Sequence, residues 1–353
     1  VTLTIVVQCS IALVIFTKLN IILWITDAWT PQINGVVTTL TNVVKKCREL
    51  GHTVTVFSAN NCKRRVPVYF YPEIVLGIPS KQEVNQTLTT KFDHIHISTP
   101  EGPCGIAFRK FLDKAGKNYS TAYHTKFPEY VNDKFPFVPV WLGKYYMKKI
   151  NKRSRCVLVP TMSVYKELQQ QKFKNIKLWS RGIDTEIFKP KRKHTGYWET
   201  DKLAVCVSRV SSEKNLEDFF KLDIDCKKIM VGGGPQLEYY KKKYPRVEFV
   251  GMKRGTELAE YYQKADVFVF PSRTDTFGVV MIEALACGTP VAAYDVTGPK
   301  DIIANGLNGY IGDDLKINVE KCLELNRRKV YESSKIHSWD TATKQFLDSL
   351  VNI

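Results

Sequence analysis

Between Phe268 and Ala292 the chain reads FVFPSRTDTFGVVMIEALACGTPVA, and this stretch narrows the possible folds more than any other. An apolar strand, Val267 to Phe270, stops at Pro271, and a polar turn carries Asp275 and Thr276 to Gly278. Val279 to Ala286 are apolar almost all round, which predicts a buried helix with Glu283 as its only charge. A carboxylate buried alone is costly, so Glu283 must meet a lysine, hydroxyl donors or a ligand. The free N–H groups of Phe277 to Val280 then lie at the positive end of the helix, where an anion binds readily. The stretch is an anion site flanked by two carboxylates.

At 353 residues the chain can form two domains, each burying its own core. Its net charge of +17 calls for an anionic partner, with nucleic acid, anionic lipid and phosphorylated substrate all open. Nine scattered cysteines contain no C-x-x-C pair, which points to reduced thiols in a cytoplasmic protein rather than zinc or disulfides. Leu3 to Phe16 is apolar but shorter than the roughly 18 residues that span a bilayer. Residues 1–17 read as an N-terminal extension: an extra strand or misassigned start is the simpler account, an anchor the other.

Alternation of strands and helices runs through the rest. Asn20 to Thr26 predicts a buried strand, residues 27–36 a loop, Val37 to Leu50 an amphipathic helix, and Thr53 to Ser58 the next strand. Gly35 in that loop lets the backbone approach a ligand, although no G-x-G-x-x-G fingerprint accompanies it. Tyr71 to Ser80 reads as a turn-rich connection. Strand His94 to Ile97 leads to the loop Ser98 to Pro103, and Ser120 to Ala122 leads to His124, just past a strand end. His94 and His96 lack such a position and read as structural. Trp141 to Arg155 is a basic, aromatic helix; Lys144 to Arg155 suits an anionic membrane surface as well as a solvated face.

A glycine, a proline and a charged run at residues 182–194 mark a linker, after which the alternation restarts. Leu203 to Val207 precedes a loop carrying Arg209 and Lys214, two cations able to neutralise a diphosphate leaving group without a metal. Gly232 to Pro235 forms an exposed-backbone turn containing Gly233, and Gly251 to Lys253, with Met252 at its centre, ends a further strand. Asp223-Ile224-Asp225 spells a D-x-D metal motif, but it falls in a helix-to-strand connection and reads as a decoy, so no metal site is expected.

Asp275-x7-Glu283 with Ala284, Ala286, Gly288 and Pro290 resembles the Glu-x7-Glu segment of the family-4 retaining glycosyltransferases. His124 to Tyr130 (HTKFPEY), Arg181 to Pro190, Arg209 with Lys214, and Thr297 to Asp301 are similar to further segments of that family. The TDTFG form is closest to the branch of GDP-mannose-dependent α-mannosyltransferases and sulfoquinovosyltransferases. The resemblance covers about residues 19–345. It implies a GT-B fold, two Rossmann-like doubly wound α/β domains facing across a cleft, with a C-terminal helix crossing back to the first domain. The divisions would be 18–188 for the acceptor domain, 189–335 for the donor domain and 336–353 for the crossover helix. The reaction implied is metal-independent, retaining transfer of a hexose to a hydroxyl acceptor, with GDP-mannose as first-choice donor, a UDP-sugar as alternative and no cofactor.

By the same resemblance Asp275 holds sugar hydroxyls, Glu283 the ribose, and Arg209 and Lys214 the diphosphate. Thr276, Phe277, Gly278 and Val279 add the helix N-terminus, Gly35 closes from the first domain, and Gly233 and Met252 line the nucleotide. His124 serves the sugar or acceptor, and Arg181 reaches the cleft or makes a structural salt bridge. The acceptor is a glycan or lipid-linked hydroxyl, at the membrane surface if Lys144 to Arg155 docks there. The competing class is a basic nucleic-acid-binding protein, for which no recognised module is present. Aspartate at 275 is one methylene shorter than the usual glutamate. Asp275→Glu is therefore expected to change donor preference or transfer rate, measured with GDP-mannose against UDP-glucose; unchanged values for both would remove the argument from side-chain reach.

Overall fold

The computed structural model describes residues 19–32, 34–68, 71–191 and 202–353. The N-terminal extension and the end of the charged run, Arg192 to His194, lie outside these. Fourteen strands are assigned among the described residues. The first eight are β1 (Ile21–Ile25), β2 (Thr53–Phe57), β3 (Arg64–Val68), β4 (Tyr71–Ile78), β5 (His94–Ile97), β6 (Ser120–Ala122), β7 (Cys156–Val159) and β8 (Ile176–Leu178). The others are β9 (Leu203–Val207), β10 (Lys227–Val231), β11 (Glu248–Gly251), β12 (Val267–Phe270), β13 (Val291–Ala293) and β14 (Gly309–Ile311).

Two six-stranded parallel sheets result, ordered β2-β1-β5-β6-β7-β8 and β11-β10-β9-β12-β13-β14. Strands covered by helices on both faces need no polar side, which is why β1, β7, β9 and β12 are near-continuous apolar runs. Successive side chains still point opposite ways. Ile22 and Trp24 enter one core cluster while Leu23 and Ile25 enter another. In the second sheet Val205 and Val207 face one cluster, and Ala204 and Cys206 the other. In each sheet the chain order reverses beside the first strand, β1 or β9, and the crevice at such a switch point takes ligands at the strands' carboxyl ends.

One segment differs from the sequence reading. Residues 71–78, expected as a turn-rich connection, form strand β4, antiparallel to β3 with Arg64 opposite Ile78. Pro72 masked it, yet a proline beside the start of a strand in a two-stranded ribbon removes no needed ladder bond.

The final helix, Trp339–Leu347, packs on the first sheet: Trp339, Ala342 and Phe346 join Ile22, Trp24, Leu40 and Trp179 in one core cluster. Phe346 stacks on Trp24 at 4.3 Å between ring centroids, and Gln345 Oε1 accepts from the Ser180 main-chain N–H at 2.7 Å. Gly182 makes this approach possible, because a Cβ there would lie 2.4 Å from the Trp339 nitrogen. All eight described cysteines are free, and no described helix is long and apolar enough to cross a membrane. Removing the Phe346 ring is expected to destabilise the protein by about 3–5 kcal/mol, read as a lowered denaturant midpoint in Phe346→Ala. A midpoint within error of wild type would show that this helix contributes nothing to the first core.

Candidate active site

The site is assembled from loops at the carboxyl ends of β1, β6, β9, β10 and β12. Asn34 caps the helix Gly35–Glu49 through Oδ1, which accepts from the Val37 N–H at 3.0 Å and so fixes the loop before it. Gly35 then lies against the other half of the molecule: a Cβ on it would sit 3.7 Å from Val279 Cγ2. After β6, the His124 main-chain carbonyl accepts the Thr276 hydroxyl at 2.6 Å. Two further contacts hold the loops together, Lys126 Nζ donating to Thr297 Oγ1 at 2.9 Å and the Ser163 N–H donating to Asp301 Oδ1 at 2.8 Å.

The loop before helix Val279–Ala286 is built as its sequence requires. Gly278 precedes the helix Val279–Ala286 with φ of +85°, and a Cβ there would meet Met281 and Phe270 side chains at 2.8 and 3.0 Å. Only glycine fits without strain. Phe277 and Thr276 are buried beside it. Lys214, from the loop after β9, places Nζ 2.6 Å from Asp275 Oδ1, with both side chains about four-fifths buried (22% and 23% exposed). Burial raises the Asp275 carboxyl, but the Lys214 charge and hydrogen bond outweigh it and leave the carboxyl below its ordinary range.

Arg209 is half-buried in the same loop. The turn containing Gly233 packs on that loop through its backbone: the Val210 N–H donates to the Gly233 carbonyl at 2.9 Å, and a Cβ on Gly232 or Gly234 would strike Ser208 or Val210 carbonyl oxygens. Gly233 also borders Met252, which is half exposed. Glu283 finds a hydroxyl rather than a lysine: Tyr262 donates to its Oε2 at 3.1 Å. Burial lifts the Glu283 carboxyl to about 7 against the pull of that single bond.

His124 and Arg181 meet on the first-sheet side. Arg181, 4% exposed, donates to the carbonyls of Trp179 at 2.6 Å and Ser180 at 3.3 Å, and its Nη2 lies 3.0 Å from His124 Nδ1. The salt bridge the sequence offered as its simplest role is replaced by main-chain carbonyls, an imidazole and the Trp179 ring 5.0 Å below the guanidinium. His96 is structural, bonded to Ser120 Oγ at 2.9 Å within the core, and His94 is tied to the Val351 carbonyl. Asp223 pairs with Lys316, and with Asp225 it lies in the connection between helix Leu216–Lys221 and β10. Among the described residues no three His, Cys, Asp or Glu side chains could hold a metal ion.

Sequence reasoning missed Tyr262, whose role depends on helix Gly255–Lys264 lying beside helix Val279–Ala286. It also missed Asp27 and Glu101, which follow β1 and β5 on either side of the switch point. Asp27 accepts from Thr99 Oγ1 and the Cys104 N–H, and Glu101 keeps a buried, unpartnered Oε2 with its carboxyl raised to about 7 by burial. Their place at strand ends was the available signal.

Residues 33–187 match the model of Glycosyltransferase Family 4, and residues 188–326 match that of Glycosyl transferases group 1. The chain belongs to glycosyltransferase family 4. Among its relatives is a GDP-mannose-dependent alpha-mannosyltransferase of Corynebacterium glutamicum, 24% identical, with 93% of this chain and 88% of that protein covered. The Sulfoquinovosyl transferase SQD2 of Arabidopsis thaliana is 28% identical over 77% of this chain and 58% of its own length. The sucrose-phosphate synthase of Thermosynechococcus elongatus shares the GT-B fold, with a TM-score of 0.76, 18% identity, and 93% and 98% of the two chains covered.

In this glycosyltransferase the raised Glu283 carboxyl carries a sign that can be checked. A group whose folded pKa of about 7 exceeds its ordinary 4.5 binds more protons folded than unfolded, so stability falls as pH rises from about 4.5 to 7. Glu283→Gln is expected to unfold at a higher temperature than wild type above pH 7, with the gap closing below pH 5. A gap independent of pH would show that Glu283 is not held near neutrality.

Proposed function

We propose that this glycosyltransferase moves a hexose, mannose from GDP-mannose by preference, to a hydroxyl acceptor with retention of anomeric configuration and without a metal. The observation that carries the reading is the Lys214–Asp275 pair at the N-terminus of helix Val279–Ala286, beside the Thr276–His124 junction. Cation, helix dipole and carboxylate stand together where a diphosphate and its sugar would lie. Lys214 and Arg209 neutralise the diphosphate, Asp275 then turns to the sugar hydroxyls, and Glu283 receives the ribose. The bond from the anomeric carbon to the phosphate oxygen breaks with its electrons going to the phosphate. The acceptor oxygen attacks from the same face, and its proton passes to that phosphate oxygen. Fixed cations lower the cost of the charge that grows on the leaving group.

The name of the Corynebacterium relative and the TDTFG segment support mannose. The sulfoquinovosyl relative, at slightly higher identity, supports a second reading with a UDP-sugar donor. For the acceptor, a lipid-linked hydroxyl at an anionic membrane surface is favoured by Phe137, Trp141 and Tyr145, which are 81%, 68% and 61% exposed beside Lys148 and Lys149 on one helix and the turn before it. Calorimetric titration with GDP and with UDP in EDTA tests the donor site. One nucleotide is expected to bind, more weakly by about tenfold or more in Arg209→Ala. Asp275→Asn, which releases Lys214, is expected to hold the diphosphate at least as well as wild type while losing transfer. No binding of either nucleotide to the folded protein would end this reading and return the basic surface to a nucleic-acid partner.

A further inference from the structure

The contact between Arg181 and His124 fixes a proton. A guanidinium has only donors, so in the 3.0 Å contact from Arg181 Nη2 the His124 Nδ1 must accept. A neutral imidazole that accepts at Nδ1 carries its hydrogen on Nε2. Adding a second proton would turn Nδ1 into a donor facing a donor and place two like charges in a pocket where His124 is 7% exposed. Burial, the Arg181 charge and then His96 accordingly hold His124 well below the ordinary histidine range. Burial draws Arg181 down only to about 9, which leaves it protonated at neutral pH.

The other sides of the ring are equally fixed. Trp179 meets it edge-on at 5.5 Å while stacking under Arg181, and His96 contributes a neutral neighbour bonded to Ser120. The Thr276 hydroxyl occupies the His124 carbonyl, so the ring stands at the junction with the donor loop. His124 Nε2 is buried and has no partner among the described residues. A buried donor left unmet is costly, and a ligand oxygen placed there removes that cost.

We propose that Arg181 is a positioning residue that holds His124 in the Nε2–H form, so that the ring offers a fixed hydrogen-bond donor, never a base, to an oxygen of the transferred sugar. The sugar rests on the reading of the site given above, whereas the tautomer is a property of the free protein. That separation makes the two failures distinguishable.

Two-bond 1H–15N spectra of the full chain with labelled histidine, His124 being assigned from the signal lost in His124→Gln, test the tautomer without any substrate. Expected are an unprotonated Nδ1 and a protonated Nε2 that do not titrate from mildly acid to mildly alkaline pH. An Nδ1–H tautomer, or titration near 6.5, would overturn the proposal even if transfer is exactly as described above. In Arg181→Met the signals should show mixed tautomers, and kcat should fall about tenfold, the worth of one neutral hydrogen bond, with KM for the donor little changed. Arg181→Lys, which restores a donor to Nδ1, should recover much of that loss. His124→Gln, whose amide nitrogen reaches the Nε2 position, should retain more kcat than His124→Asn, whose nitrogen falls near Nδ1. A wild-type rate in Arg181→Met with the tautomer intact would leave Arg181 a packing residue and defeat the proposal.

Discussion

One buried hydroxyl, Thr276 donating to the carbonyl of His124, joins the loop after β6 to the loop that opens the helix Val279–Ala286. Asp275 and Gly278 lie within two residues of that bond, and Lys214 and Arg181 meet Asp275 and His124 beside it. Each sheet alone offers an ordinary crevice at its strand ends, and the helix terminus after Gly278 and the buried His124 imidazole belong to different ones. The bond requires the two crevices to face one another, with Gly35 against Val279 and Lys126 against Thr297 on either side. Because Gly278 and Gly298 carry positive φ in the segments around it, the loop before helix Val279–Ala286 keeps its shape without side chains that would fill the space.

Charge is handled in three different ways within this small volume. Asp275 and Lys214 cancel one another, which keeps the Asp275 carboxyl ionised although it is largely shielded from water. Arg181 pairs with no carboxylate among the described residues and is satisfied by main-chain carbonyls, an aromatic face and a lone pair on His124. Glu283 has only the Tyr262 hydroxyl, too little to offset burial, so it stands near its midpoint at neutral pH. The first arrangement suits an ion exchanged for a ligand's phosphate, the second a rigid support, and the third a group that gains by accepting more hydrogen bonds. Division of labour follows from the number of partners each charge has.

The sequence alone determined the kind of fold. Apolar runs of four or five residues alternating with amphipathic helices leave little besides two parallel sheets, because strands buried on both faces have no polar side to show. Gly278, the apolar helix and its single Glu283 likewise mark a candidate anion site by local rules, since backbone sterics and the helix dipole act within a few residues. What only the tertiary structure decided is who meets whom. Lys214 is 61 positions from Asp275, Thr276 is 152 from His124, and Arg181 is 57 from His124. The sequence could name a cation for a diphosphate and an acid for a sugar, but not that the two neutralise one another. Nor could it reveal the tautomer of His124, because a proton's position depends on a donor delivered by another strand's end, and no local pattern encodes that distance. The physical reason is the same throughout: local conformational preferences are written residue by residue, whereas pairing, burial and protonation are settled by packing that brings distant segments into contact.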